Sequence, residues 1–197
     1  MMSLPLVCTL PMLGSRAYLH GTTLFDAMLL HVPNGAELGF RIPHRIDTDR
    51  VRILEGTSTQ NSRGLASLSW KGDAASGVVA AEPLTPSGVP MRVAYPEKLV
   101  SDASEITPDA VVLRASVGMS FVSTLIPMFK ALLRSAPVAA VPGQWMFTRM
   151  DIRFPPPEFI PIVLRRDALI PGKLARAAIE RGGQQIGHIY FSWVPVG

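Results

Sequence analysis

The sequence predicts an α+β fold of two similar units in tandem, each a helix followed by several antiparallel strands. Residues 22–31 and 116–135 have the periodicity of helices, and each of these segments is followed by extended segments with alternating apolar residues. The two halves also share short matching patterns, which indicate a duplication. A chain of 197 residues, 48% of them hydrophobic, is long enough to bury one substantial core or two small fused cores.

The two helical segments differ in how apolar they are. In the first, Leu24 and Met28 fall on one stripe and Phe25 and Leu29 on the next, as expected of a helix that packs on a core. The second, SVGMSFVSTLIPMFKALLRS, is apolar nearly all round and is expected to be buried. Pro127 lies inside it and has no backbone N–H, so we expect it to kink or interrupt this helix.

Eight extended segments follow the helices, and their alternation and β-branched or aromatic residues predict antiparallel strands. The first half contains AELGFRIPHRI, DRVRILEG, RGLASLSWKG and SGVVAAEPL, and the second contains WMFTRMDIRFP, IPIVLRRDAL, KLARAAIERGG and QIGHIYFSWVP. Three matches link the halves at offsets of 112, 110 and 109: FRIPH at 40–44 with IRFPP at 152–156, Gly72 and Gly77 with Gly182 and Gly187, and GLA at 64–66 with KLA at 173–175. We therefore predict units 1–90 and 91–197, with the Pro-, Ser- and Asp-rich segment 84–110 as the linker region.

Composition excludes several classes of function. The 19 Lys and Arg residues exceed the 15 Asp and Glu residues by four but never form a run, so nucleic acid is not expected as a partner. Cys8 is the only cysteine, so the chain can build neither an internal disulfide nor a cysteine metal cluster, and a cytoplasmic location is expected. The start of the chain lacks a basic region, and we expect no signal peptide and no membrane span.

An apolar helix followed by long antiparallel strands resembles the hot-dog fold, and two such units in one chain resemble a double hot dog. Toward the end of the chain, WMFTRMDIRFPPP and ARAAIERGGQQIGHIYFSW follow the order of strand, proline, strand and Gly-rich hairpin seen in thioesterases and dehydratases of this superfamily. The resemblance implies an antiparallel sheet wrapped around a central helix in each of two tandem units. No bound cofactor is expected, because substrates of these enzymes are carried on coenzyme A or a phosphopantetheine arm.

The stretch HGTTLFDAMLLH at 20–31 carries the sharpest likeness. In β-hydroxyacyl dehydratases of fatty-acid synthesis, a helix begins with glycine and bears the catalytic carboxylate five residues later, followed by Ala-Met. Gly21, Asp26, Ala27 and Met28 repeat this spacing. Polyketide-synthase dehydratase domains have a similar His-Pro-x-x-Leu-Asp-Ala pattern, from which HGTTLFDA departs by one extra residue and by Gly in place of Pro. The resemblance implies that Asp26 is the catalytic carboxylate.

A histidine is the expected partner of this carboxylate. The dehydratases supply it from a His-x-x-x-Gly-x-x-x-x-Pro pattern, and HVPNGAELGF has His31 and Gly35 but Phe40 in place of the proline. His20 is nearest to the carboxylate in sequence, and His44 is the second candidate. A His/Asp pair can take the α-proton of a β-hydroxyacyl thioester and protonate the departing hydroxyl without a metal.

Two expectations concern the place of Asp26 in its helix. The helix N-terminus would stabilise the carboxylate and an apolar wall would raise its pKa, so Asp26 could act as general acid or base near neutral pH. The alternative is a structural acid in the first turn that favours the helix dipole or caps an N–H. Counted from Gly118, the corresponding position of the second helix is Ser123, so that only the first half would keep the carboxylate.

Together these features predict an enzyme that acts on an acyl thioester carried by coenzyme A or an acyl-carrier protein, in polyketide or fatty acid metabolism. Its chemistry would be acid–base catalysis of the dehydratase, isomerase or cyclase type. Because thioester hydrolysis uses the same residue types with water as nucleophile, an acyl thioesterase is an open alternative. A non-catalytic hot-dog module that binds an acyl chain or a partner protein is another. Hot-dog units usually pair their sheets, within one chain or in a homodimer.

Overall fold

The computed structural model describes residues 5–56, 66–86, 88–134, 142–153, 155 and 158–195. The chain divides into two compact units, Met1–Tyr95 and Pro96–Gly197. Two of the three repeat matches include residues outside the described ones, namely Gly64 and Leu65 in GLA and Phe154 and Pro156 in IRFPP. The segment 84–110, predicted as the linker region, carries short elements of both units.

The first unit is an antiparallel sheet with a helix packed on it. Its elements are β1 (Leu6–Thr9), β2 (Met12–Leu13), α1 (Gly21–Leu29), β3 (Glu37–Arg41), β4 (Arg50–Gly56), β5 (Ala66–Lys71), β6 (Ser76–Pro83) and β7 (Arg92–Val93). The strand order is β1-β4-β6-β5-β3, and β2 pairs separately with β7. Helix α1 contacts β5 and β6, and the ring of Phe25 meets the ring of Phe40 edge-on at a centroid distance of 5.5 Å.

The second unit repeats this plan with longer strands. Its elements are α2 (Glu97–Asp102), β8 (Ser104–Ile106), β9 (Ala110–Leu113), α3 (Phe121–Leu133), β10 (Gly143–Arg153), β11 (Ile162–Ile170), β12 (Leu174–Arg181) and β13 (Gln184–Pro195). The strand order is β10-β13-β12-β11-β9-β8, with every pair antiparallel. Helix α3 contacts β8, β9 and β11. None of the helices in the described part of the chain is long and apolar enough to cross a membrane.

Helix α3 runs through Pro127 without a break, so the expected interruption is wrong. A proline inside a helix costs about 3 kcal/mol, because one backbone hydrogen bond is lost and the ring crowds the preceding turn. Burial offsets this cost, since eleven of the thirteen residues of α3 are buried, Pro127 among them. The helix also has a capped start, where Ser120 Oγ accepts a hydrogen bond from the N–H of Ser123 at 3.3 Å.

This topology confirms the predicted α+β class, with an antiparallel sheet and a buried helix in each of two tandem units. The units differ in one respect that the sequence repeat does not suggest. In the first unit β6 lies beside β4, whereas in the second unit β12 lies beside β11. Only residues 171–173 separate β11 from β12, and such a short turn forces the two strands to be neighbours. The longer connection 57–65 between β4 and β5 imposes no such pairing.

One glycine of the second sheet leaves no space for a side chain. A Cβ on Gly187 would meet the carbonyl oxygen of Asp151 and would lie 2.8 Å from the Cα of Ile152. We expect Gly187→Ala to lower the free energy of unfolding by about 1–3 kcal/mol, because both obstacles are backbone atoms of the neighbouring strand. Gly72→Ala is the matched control, since its Cβ would be in ordinary contact, 3.6 Å from the oxygen of Ala75. Equal losses in urea denaturation of the two variants would contradict this account.

Candidate functional site

The stretch HGTTLFDAMLLH forms helix α1 and the residue before it. His20 is the N-cap residue, with extended backbone angles of φ −76° and ψ 139°, and the helix begins at Gly21. The carbonyl oxygen of His20 accepts the N–H of Leu24 at 3.3 Å, while its side chain makes no capping hydrogen bond. The imidazole is therefore not used to satisfy the backbone of the helix that it precedes.

The His20 side chain lies in a buried aromatic setting. Its exposed fraction is 5%, and its Nδ1 is 2.9 Å from the hydroxyl oxygen of Thr22, which is itself fully buried. The imidazole is near the rings of Tyr18 and Tyr95, at centroid distances of 6.4 and 5.3 Å. The guanidinium of Arg16 covers the Tyr95 ring from 5.2 Å. These contacts hold the imidazole in one orientation.

Asp26 is half-buried in the second turn of α1, which corrects one expectation. It is the sixth residue of the helix, and the first turn contains no acidic residue. The structural alternative of a first-turn acid is therefore wrong. We expect the helix N-terminus to stabilise Asp26 only weakly, because that effect fades within the first turn. It is His20, rather than Asp26, that lies at the positive end of the helix.

Thr22 lies between the two predicted catalytic residues in the sequence and contacts one of them, His20. His20 and Asp26 are six residues apart, or about 9 Å along the axis at ~1.5 Å per residue. Residues four apart share a face of a helix, so Thr22 and Asp26 lie on the same face. The Thr22 hydroxyl in turn contacts His20. The start of α1 thus carries an imidazole, a hydroxyl and a carboxylate in succession.

His44, the second predicted partner, is exposed in the connection between β3 and β4. A single antiparallel bridge joins Leu19 to Ile46, with the Leu19 N–H donating to the Ile46 oxygen at 2.8 Å. This bridge brings the segment of His44 beside the segment of His20. The neighbouring Arg45 lies over the Tyr18 ring at 5.2 Å. The segment of His44 therefore lies near the start of α1, but the His44 side chain is exposed, whereas that of His20 is buried.

The other reactive side chains lie elsewhere. His31 is buried just after α1, and His188 lies on β13 with its Nε2 3.4 Å from Asp167 Oδ2. Asp167 also accepts a hydrogen bond from Arg176 at 2.9 Å, so His188 belongs to a charged network on the sheet of the second unit. Burial raises the pKa of the Cys8 thiol, which disfavours a thiolate nucleophile at neutral pH. The described residues contain no cluster of three or more groups that could bind a metal ion.

The predicted equivalence of Asp26 and Ser123 is wrong. Gly21 is the first residue of α1, whereas Gly118 lies outside α3 with φ +72°, two residues before the N-cap Ser120. When the two helices are aligned on their N-cap residues, His20 and Ser120, Ser123 corresponds to Thr23. The buried Ile126 then corresponds to Asp26. The asymmetry itself remains, because α3 contains no Asp or Glu.

Sequence reasoning missed Thr22 and Tyr95. The signal for Thr22 was present, since HGT places a hydroxyl two residues after a histidine at a helix start. No pattern in the sequence connects Tyr95 to His20, because the contact depends on the path of the chain around β7.

Comparisons with known proteins reveal only distant likeness. No protein-family model and no curated protein matches the chain. Among solved structures, the bifunctional dehydratase-cyclase domain of ambruticin biosynthesis has a TM-score of 0.47 at 13% identity, covering 91% of this chain and 82% of that one. A tesB protein of Mycobacterium avium subspecies paratuberculosis has a TM-score of 0.47 at 9% identity, with 96% and 92% covered. A conserved hot-dog protein of unknown function from Alicyclobacillus acidocaldarius has a TM-score of 0.38 at 13% identity, with 89% and 86% covered.

Proposed function

We propose that this chain is a hot-dog enzyme that acts on an acyl thioester by acid–base chemistry of the dehydratase, isomerase or cyclase type. One observation carries the proposal. The imidazole of His20, just before helix α1, is buried and contacts the buried hydroxyl of Thr22. The second turn of the same helix carries the half-buried carboxylate of Asp26, on the helix face of Thr22. The spacing of Gly21, Asp26, Ala27 and Met28, which resembles that of β-hydroxyacyl dehydratases, adds support.

The chemistry follows from these residue types. The carbon next to a thioester carbonyl loses a proton when a base is in contact with it and a hydrogen-bond donor stabilises the charge that develops on the carbonyl oxygen. Asp26 is the proposed proton carrier, and His20 the proposed partner at the carbonyl or the departing group. The acyl chain would arrive on coenzyme A or on the phosphopantetheine arm of a carrier protein. A cytoplasmic location and a homodimer are further parts of this proposal.

The function is tested by incubating the full chain with 3-hydroxyacyl and enoyl thioesters of coenzyme A and of a carrier protein, followed by mass spectrometry and a thiol assay. Loss of water, or an isomeric or cyclised product, would support the proposal. Release of the thiol would instead identify a thioesterase. An acyl thioester that binds and is recovered unchanged would identify a binding module and overturn the proposal.

The two histidine candidates can be separated by substitution. We expect His20→Ala to lower kcat by about 10²-fold or more, because it removes the buried partner of the reaction. We expect His44→Ala to leave kcat close to that of the unsubstituted protein, because this side chain is exposed. Steady-state kinetics of both variants, with matched thermal unfolding curves, decides between them. The reverse order of effects would assign the role to His44.

A further inference from the structure

The hydrogen bond to the Thr22 hydroxyl indicates which ring nitrogen of His20 bears the proton. The Thr22 side chain is fully buried, and in the described part of the chain its hydrogen-bond partner is His20 Nδ1, at 2.9 Å. A buried hydroxyl must donate its single proton, since a buried donor without an acceptor costs the desolvation of that group. Here the acceptor is His20 Nδ1. That nitrogen therefore has no proton of its own, and the ring proton is on Nε2.

Two features of the position of His20 in the fold favour the same neutral form. An imidazolium ion would be buried, with 5% of the residue exposed. It would also lie at the N-terminus of α1, where unpaired N–H groups concentrate positive charge. Burial and the helix N-terminus each disfavour a second proton on the ring.

Building on the function proposed above, we propose that Thr22 is a positioning residue that holds His20 as the Nε2–H tautomer, so that His20 acts as a hydrogen-bond donor and Asp26 alone carries protons. The Nε2–H group donates to the thioester carbonyl oxygen and stabilises the enolate that forms there. A neutral imidazole is suited to this role but is a poor acid, because loss of the Nε2 proton would leave an anionic ring.

In this scheme the Asp26 carboxylate both takes up the proton and gives it to the leaving group. The Asp26 carboxylate takes the α-proton, and the electrons of the broken C–H bond form the enolate. When the enolate collapses, its electrons form the double bond between the α- and β-carbons, and the bond from the β-carbon to the hydroxyl oxygen breaks. The proton held by Asp26 passes to that oxygen, water leaves, and Asp26 is again a carboxylate. His20 keeps its Nε2 proton throughout.

The tautomer is measured directly by ¹⁵N NMR of the imidazole rings in the full chain, which has four histidines. Comparison with His20→Gln assigns the His20 signals. We expect an unprotonated, hydrogen-bonded Nδ1 and a protonated Nε2. Thr22→Ser should keep this pattern, and Thr22→Val should shift the population toward Nδ1–H. A protonated Nδ1 in the unsubstituted protein would overturn the inference whether or not Thr22→Val folds.

Activity provides the second test. If His20 serves as a donor, His20→Gln, which still offers an N–H, should recover about tenfold or more of the ~10²–10³-fold loss expected for His20→Ala. It should also still exchange the α-proton of a saturated acyl thioester with deuterium from the solvent, whereas Asp26→Asn should not. Loss of this exchange in His20→Gln would assign proton abstraction to His20 and overturn the inference. Full activity of Asp26→Asn would overturn the catalytic role of Asp26 on which the proposed function rests, with the NMR result unaffected.

Discussion

Asp26→Asn is expected to lower kcat for the acyl thioester by about 10²–10⁴-fold, the usual contribution of a general acid–base group. The amide has nearly the shape of the carboxylate but cannot take up or release a proton. Because Asp26 is only half-buried, its replacement by an amide should leave the fold in place. Steady-state kinetics on the thioester that the protein turns over, together with circular dichroism and thermal unfolding, measures both effects.

A matched control separates the loss of chemistry from the loss of a helical acid. Asp102 is the last residue of α2, is exposed, and pairs with Lys98 at 2.6 Å. Asp102→Asn removes a carboxylate from a helix surface and is expected to leave kcat unchanged. Equal activity of the Asp26 and Asp102 variants would show that the carboxylate of α1 takes no part in catalysis. The chain would then be an enzyme whose catalytic group lies elsewhere than at Asp26.

Phe129→Ala is expected to produce the largest loss of stability, about 3–5 kcal/mol in the free energy of unfolding. Phe129 is fully buried on α3, and its ring meets the fully buried ring of Phe191 edge-on at 4.7 Å. The substitution removes apolar contact area, leaves a cavity beside β13 and breaks an aromatic pair. Urea denaturation followed by circular dichroism gives the difference.

Two further variants calibrate this loss. Phe129→Leu keeps most of the buried volume, so it should cost less than Phe129→Ala. Leu99→Ala on α2 removes a side chain that is 55% exposed and should change stability by no more than about 0.5 kcal/mol. If Phe129→Ala were as mild as Leu99→Ala, α3 would not be the centre of the core of the second unit.

The long elements were predictable because their side chains alternate between core and solvent. In β5, for example, Ala66 and Leu68 are buried while Ser67 and Ser69 are partly exposed. Both predicted helices and all eight predicted strands are present. The short elements β1, β2, β7, β8, β9 and α2 were not predicted, because segments of two to six residues are too short to display a period.

The candidate site also has one feature that could be predicted from the sequence and others that could not. The spacing from Gly21 to Asp26 could be read from the chain, because both residues lie on one helix and helix geometry is local. The burial of His20 and its contact with Tyr95 could not, since they require β7 to return beside the start of α1. The position of Asp26 beyond the first turn was also missed, because it depends on the residue at which the helix begins.

The sequence by itself determined which residues form helices and strands and which face of each strand is apolar, since both depend on short-range periodicity. The tertiary structure decided which strands became neighbours, as the placement of β6 beside β4 and of β12 beside β11 demonstrates. An alternating strand can bury its apolar face beside any suitable partner, and the length of the connecting turn selects among them. The same long-range packing buried both His20 and the Thr22 hydroxyl that its imidazole contacts.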